Sequence, residues 1–300
     1  MAQGELAAAR SHLEQALELY RSSLDDPTVI WSFRTAISRK VIWGSMHGDL
    51  ASISCWTGFP DQALLHIAAI EQAVEDEVRI VSTPIQLWYH LRVLAFLSEP
   101  SEVGALAERI AADSSKYGLP HYSALATIMR GCVIARCGDP ETGRAIIGDG
   151  LAAYTATGAV SWCCYFRALL AETFQTTGET DEALRILLEA LEDTERTGER
   201  WYVAELHRRI GEAHRQRGAE LAAQQSFGQA LAVARGQGAK LWELQAATSY
   251  ARLLVDQGKS AEADALLSPI YAWFTEGFDT LPLREAKTVL DSLRSAMCSP

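Results

Sequence analysis

The sequence is short of basic residues: 27 Lys and Arg stand against 38 Asp and Glu, a formal net charge of -11. A nonspecific nucleic-acid binder needs clustered Lys and Arg to displace counterions from phosphates, and an anionic membrane surface asks for the same groups. No nucleic-acid partner and no membrane partner are therefore expected. No window approaches the stretch of about 18 uncharged apolar residues that a transmembrane helix requires. The opening MAQGELAAARSHLEQ has no apolar signal core. The six cysteines are Cys55, Cys132, Cys137, Cys163, Cys164 and Cys298, and none forms a CxxC pair. Adjacent Cys163 and Cys164 are poorly placed for a structural bridge. Reduced thiols in a cytoplasmic protein are the simpler reading.

The usual signs of catalysis are missing as well. No GxSxG elbow is present, and Cys163-Cys164 has no evident base in its own segment. Gly258-Lys259-Ser260 copies the end of a Walker A loop, but position 253, where that motif needs glycine, is Leu253. The motif also needs a strand before it, so that backbone amides can cup a phosphate; here a helix precedes. Arg235-Gly236-Gln237-Gly238 lacks the third glycine and the flanking strand of a dinucleotide fingerprint, and reads as a helix stop. His207 and His214 lie seven positions apart, with Glu205 and Glu212 nearby. A metal pair on one helix wants spacings of three or four, so these read as partly buried repeat-face histidines. His66, His90 and His121 fall in different repeats and share no spacing. No catalytic residue, metal or cofactor is expected.

What the chain does have is a beat. Glycines recur at 118, 138, 158, 178, 198, 218, 238 and 258, each 20 residues after the last, and every second step restores the same local text. The composition is 48% hydrophobic, leaning on Ala and Leu, which favours helix. Glycine at a turn suits a helix C-cap, where a left-handed residue satisfies the last carbonyls. A register of 40 residues can be followed in columns. Positions 63, 103, 143, 183, 223 and 263 hold Ala, Val, Gly, Ala, Ala and Ala, small enough for two helices to approach closely. Positions 67, 107, 147, 187, 227 and 267 hold Ile, Ala, Ile, Leu, Phe and Leu, a buried column. Positions 122, 162, 202 and 242 hold Tyr, Trp, Tyr and Trp.

Such periods mean stacked helical repeats, here longer than the tetratricopeptide (TPR) unit of about 34 residues. The expected fold is all-α: a right-handed α-solenoid of TPR-like antiparallel helix pairs, forming one domain over 1–300. Residues 1–40 make a partial first repeat and a connection. Repeats follow at 41–80, 81–118, 119–158, 159–198, 199–238 and 239–280, and 281–300 form a capping helix. The pattern places helices at 4–24, 41–57, 61–77, 84–97 and 102–117. Two per repeat follow, with first helices at 121–137, 160–177, 200–217 and 240–257. Residues 28–40 read as irregular, anchored by Trp31 and Phe33.

Leu6, Ala9, Leu13, Leu17, Tyr20 and Leu24 form one stripe on the first helix, with no partner helix before it. The chain thus reads as starting mid-repeat, as a fragment would, with a hydrophobic patch and a possible homodimer through that end.

The first helices combine aromatic and basic residues, the composition of binding hot spots, and in such solenoids they line the concave face. The candidate contact residues are Trp88, Arg92, Tyr122, Trp162, Arg167, Tyr202, His207 and Trp242; Tyr165 and Arg208 share the same helices. The competing reading is that a regular aromatic column wedges between neighbouring repeats. Both stay open. A deep enclosed pocket lined by Trp88, Trp162, Tyr202 and Arg167 would favour a small-molecule sensor. A long open groove with exposed polar side chains would favour a peptide or a protein domain.

Glu199 to Glu212 (ERWYVAELHRRIGE) resembles a hallmark of the TPR-like C-terminal region of bacterial multidomain class III adenylate/guanylate cyclases. Related regions occur in ATPase-coupled LuxR-type regulators. Gly58 to Leu64 (GFPDQAL), Tyr250 to Leu267 (YARLLVDQGKSAEADALL) and Trp273 to Lys287 (WFTEGFDTLPLREAK) are similar to the same family in order, so the resemblance covers nearly the whole chain. In that family a cyclase domain comes first, then a P-loop ATPase module, then these repeats. The cyclase's metal-binding carboxylates and the ATPase's phosphate loop find no matching positions in this sequence. The resemblance therefore implies a noncatalytic regulatory or sensor arm in signal transduction. Its expected partner is a protein, a peptide or an upstream cyclase or ATPase module; the alternative is a small-molecule effector held in the concave groove.

Overall fold

The computed structural model describes residues 2–24, 36–72 and 79–298. Fourteen helices and no strand are found among them. α1 (Leu6–Leu24) comes first, followed by six antiparallel pairs: α2 (Ala36–Trp56) with α3 (Pro60–Gln72), α4 (Arg79–Leu97) with α5 (Pro100–Tyr117), and α6 (Pro120–Arg136) with α7 (Pro140–Ala156). Then come α8 (Cys163–Thr176) with α9 (Thr180–Thr197), α10 (Val203–Gln216) with α11 (Glu220–Gln237), and α12 (Lys240–Asp256) with α13 (Ser260–Tyr271). α14 (Leu281–Cys298) closes the array against α12, α13 and α4. The architecture is an all-α solenoid of TPR-like helix pairs.

The glycine beat ends helices as sterics require. At Gly198 the backbone turns left-handed (φ 72°), and its N–H returns to the Thr194 carbonyl at 2.9 Å. Both sequence columns lie in the core. Ala63, Val103, Gly143, Ala183, Ala223 and Ala263 are buried, and so are Ile67, Ala107, Ile147, Leu187, Phe227 and Leu267. α6 and α7 approach closely: a Cβ added to Gly143 would stand 2.6 Å from the Gly131 carbonyl oxygen.

Several helix starts differ from those expected. α2 begins at Ala36, so 36–40 are helical rather than irregular; the rest of the expected connection, with Trp31 and Phe33, lies outside the described residues. α4 begins at Arg79, with Pro84 inside it rather than opening it; the missing proline N–H costs one ladder bond there, which the rest of the helix tolerates. α8 and α10 begin about three residues late, at Cys163 and Val203. The buried Glu199 carboxylate accepts from the Trp162 backbone N–H at 2.7 Å and from the Trp201 indole N–H at 3.0 Å. It thereby holds Trp162 at φ 68°, a conformation rare for a bulky residue, and the turn of helix that would include it does not form.

The solenoid also coils back on itself. α2 touches α12, and α4 touches α14. The Glu276 carboxylate accepts from the Asp61 and Gln62 N–H groups at 3.0 and 3.2 Å, so it caps α3 from 215 residues away. Phe59 meets Trp273 edge-on (5.6 Å between centroids), and Arg284 pairs with Glu99. The carbonyl of Ala2 accepts from the Arg200 and Trp201 N–H groups. The interior of this turn is filled with rings: Trp56 stacks on Trp201 (4.5 Å, 17°), Trp162 lies 4.4 Å from Trp201, and Phe96 stands edge-on to Trp242 at 5.0 Å.

This coiling accounts for the α1 stripe. Leu6 and Leu17 are buried and Ala9 and Leu13 are half-buried; the helix packs on α2, and its start lies against α10 and α11. The chain itself thus covers Leu6 and Leu17 of the expected patch and half-buries Ala9, Leu13 and Tyr20; the side chain of Leu24 lies outside the described residues.

Candidate functional site

A cavity of about 660 Å3 lies between the start of α1 and helices α10 and α11, and a cleft of about 650 Å3 opens across several repeats. Its walls are the first helices α4, α6, α8, α10 and α12, with the start of α14 at one side, which makes it the concave face of the solenoid. Phe96, Tyr165 and Tyr202 supply its aromatic surface. Around them lie five arginines (136, 208, 209, 215, 252) and five glutamates (99, 172, 205, 212, 285).

These charges form a ladder across repeats. Arg136 holds the Glu172 carboxylate as a fork, Nε to Oε1 at 2.7 Å and Nη2 to Oε2 at 3.0 Å. Arg209 reaches the same carboxylate from α10, Nη1 to Oε2 at 2.8 Å. Burial acts to raise the Glu172 pKa, but the Arg136 and Arg209 guanidiniums outweigh it and hold the carboxyl well below the usual range. On the next step Arg208 pairs with buried Glu205 at 2.8 Å and donates to Ser249 Oγ at 3.2 Å. Arg215 bridges Glu212 (3.0 Å) and Asp256 (2.8 Å). Burial pushes the Tyr202 phenol up to about 12 and the Tyr165 phenol well above its ordinary value, so both are neutral donors at physiological pH.

Of the residues singled out from the sequence, Tyr202 lines this cleft, as do their helix neighbours Tyr165 and Arg208. Trp88, Trp162 and Trp242 are at most 8% exposed and pack among the inner rings. Trp242 is wholly enclosed and offers no surface in this conformation. Arg92 is buried over the Trp162 ring and satisfied by Ser52, the Gly48 carbonyl and Asp49. Tyr122 is half-buried beside His121. Arg167 pairs with Asp193 at 2.5 Å in a separate pocket of about 210 Å3 that includes Cys163. His207 sits near the N-terminal segment, beside Leu6 and Gln237. Trp88, Trp162, Tyr202 and Arg167 therefore do not share one pocket.

Arg136, Glu172, Glu205 and Arg209 were not singled out, although a signal exists. Arg136 to Glu172 is 36 residues and Glu172 to Arg209 is 37. Opposite charges at one repeat minus about one helical turn mark partners on neighbouring, staggered helices. A second missed pair is His47 and His66, with Nδ1 atoms 3.0 Å apart. Burial and then His66 push the His47 pKa down to about 4. The five cysteines at 55, 132, 137, 163 and 164 are free. No helix among the described residues is long and apolar enough to cross a membrane.

Among solved structures that share this fold are the following two. A Rap protein complexed with competence and sporulation factor aligns with 97% of this chain and 80% of its own, at 13% identity and a TM-score of 0.63. The apo form of RapI aligns over 96% of both chains, at 12% identity and a TM-score of 0.57. At such identities the likeness establishes the fold alone. No protein-family model matches the sequence, and no curated protein matches it either.

Proposed function

We propose that this chain is a regulatory scaffold that binds a protein or peptide segment along its concave cleft. One observation carries the reading: an open cleft of about 650 Å3, walled by the first helices of five successive repeats and lined with side chains of both charge signs. An open groove with polar walls suits an extended segment that presents donors and acceptors along its length, and fits an enclosed small molecule less well. The Rap structure complexed with a factor adds that a chain of this fold carries a bound partner. By the segments 58–64, 199–212, 250–267 and 273–287, we further place the chain as the C-terminal regulatory or sensor part of a signalling cyclase or ATPase, whose upstream module is then a second partner. Among the residues singled out in the sequence, Tyr202 lines the cleft but is 1% exposed, so it shapes the floor as the buried tryptophans do.

Thr176 is exposed at the cleft wall and bonds only to its own helix, so Thr176→Trp blocks the groove without disturbing the core. The wild-type chain used as bait should capture a partner that the variant does not. Equal capture by both would refute the cleft as the binding face.

A further inference from the structure

The cleft floor carries a more specific message, which rests on the reading of the cleft as the binding face. Tyr165 is 2% exposed, and its hydroxyl has no hydrogen-bond partner in the protein. Arg209 is 9% exposed; its guanidinium bonds Glu172 through Nη1 and also meets the Tyr202 phenol, but its Nε has no acceptor. Both residues line the cleft, on adjacent helices α8 and α10. Buried donors are rarely left unpaired, because each forfeits its hydration without replacement. Two such donors lining the same cleft are a recognition site awaiting its complement. The floor is also short of negative charge. Arg136 and Arg209 share a single carboxylate, Glu172, which leaves one positive charge in excess, whereas Glu205 next to them is matched by Arg208.

We infer that the occupant of the cleft presents one anionic group, a carboxylate or a phosphate, to the Tyr165 hydroxyl and the Arg209 Nε–H. The guanidinium and phenol together offer a charge-assisted donor and a neutral donor, the combination that suits a planar or tetrahedral oxyanion. The rest of the cleft limits what may be attached to it. Its five arginines are offset by five glutamates, so a polyanion gains nothing beyond the floor. Phe96 and Tyr202 add apolar lining to the same cleft, which suits an uncharged, partly apolar body. The ligand class is thus a single anionic head on a largely neutral molecule or peptide.

The test uses acetate and inorganic phosphate as probes, each titrated at constant ionic strength against chloride, with melting temperature and tryptophan fluorescence as readouts. The wild-type chain should show a saturable shift with at least one probe that chloride does not give, and the effective probe tells carboxylate from phosphate. Tyr165→Phe removes only the unpaired hydroxyl, so it should fold, melt no lower than the wild type, and bind the probe about tenfold more weakly. Arg209→Lys keeps the charge and loses the Nε–H, and should weaken binding likewise. The inference is overturned if neither probe gives a saturable shift, if both variants bind as the wild type does, or if Tyr165→Phe melts lower, which would reveal a structural partner for the hydroxyl. If Thr176→Trp abolishes partner capture while Tyr165→Phe leaves capture and probe binding intact, the anion inference falls and the scaffold reading stands. Partner capture that survives Thr176→Trp removes the scaffold reading itself.

Discussion

Gly143→Ala and Gly148→Ala add the same methyl group to the same helix, five residues apart, and should shift stability in opposite directions. At Gly143 the new Cβ would stand 2.6 Å from the Gly131 carbonyl oxygen, 2.6 Å from Ala135 Cβ and 2.7 Å from the Ala135 nitrogen. None of these atoms can swing aside, because each is backbone or a Cβ fixed to it. Ordinary contact begins near 3.4 Å, so α6 and α7 must part by 3.4 − 2.6 = 0.8 Å. Overpacking of this kind costs about 1–3 kcal/mol. Replacing a helical glycine recovers about 1 kcal/mol of propensity, so the net expectation is a loss of about 1 kcal/mol. At Gly148 no atom lies within 4 Å, and the propensity term should appear almost whole, as a gain of about 0.5–1 kcal/mol. The comparison cancels the effect on the unfolded chain, which is the same for both. Urea unfolding followed by far-UV circular dichroism, with both variants and wild type fitted to a common slope, measures the difference directly. A Gly143→Ala protein as stable as Gly148→Ala would refute the close α6–α7 seam and with it the 40-residue register.

Three further outcomes follow from the geometry. His47 has its pKa lowered from 6.5 to about 4, so it favours folding while neutral; that stability is complete above pH 6.5 and is lost as pH falls towards 4, on the order of 3 kcal/mol at 1.36 kcal/mol per pH unit. Unfolding midpoints at pH 7.5 and 4.5 should therefore converge in His47→Gln, and an unchanged pH dependence would count against the His47–His66 pair. Glu172 is held below the ordinary carboxylate range, so its contribution is present above pH 4.5 and disappears as pH falls further; Glu172→Gln should be less stable at pH 7 and show a smaller additional loss at pH 3 than the wild type. Glu276→Ala should cost about 1 kcal/mol and speed hydrogen exchange at the Asp61 and Gln62 amides; unchanged exchange there would show that the long-range cap does not form in solution.

The repeat architecture was legible because its causes are local and periodic. From 118 to 258 a glycine at each turn bonds a carbonyl no more than four residues back, and a small residue at 63 or 183 meets its partner helix within one repeat. The coil's closure was not legible: Glu276 and Asp61 are 215 residues apart, and a contact made once leaves no period. That same closure decided between the two readings of the tryptophans. Trp162 and Trp242 face inward as a concave-face residue should, but the turn is tight enough to pack them against Trp56, Trp88 and Phe96. The cleft's charges escaped notice because they step by 36 and 37 residues, not 40. A column comparison in strict register cannot see partners on staggered helices.

An open solenoid can gain or lose a repeat at little cost, since each unit answers only to its neighbours and the ends are free. Here the carboxylate of Glu276 must arrive at the start of α3, and Arg284 at Glu99, after a fixed number of turns. Deleting 40 residues would carry those groups away by a whole repeat and leave the rings around Trp56 uncovered. The length of this array is therefore counted by its own geometry, as the links of a closed bracelet are.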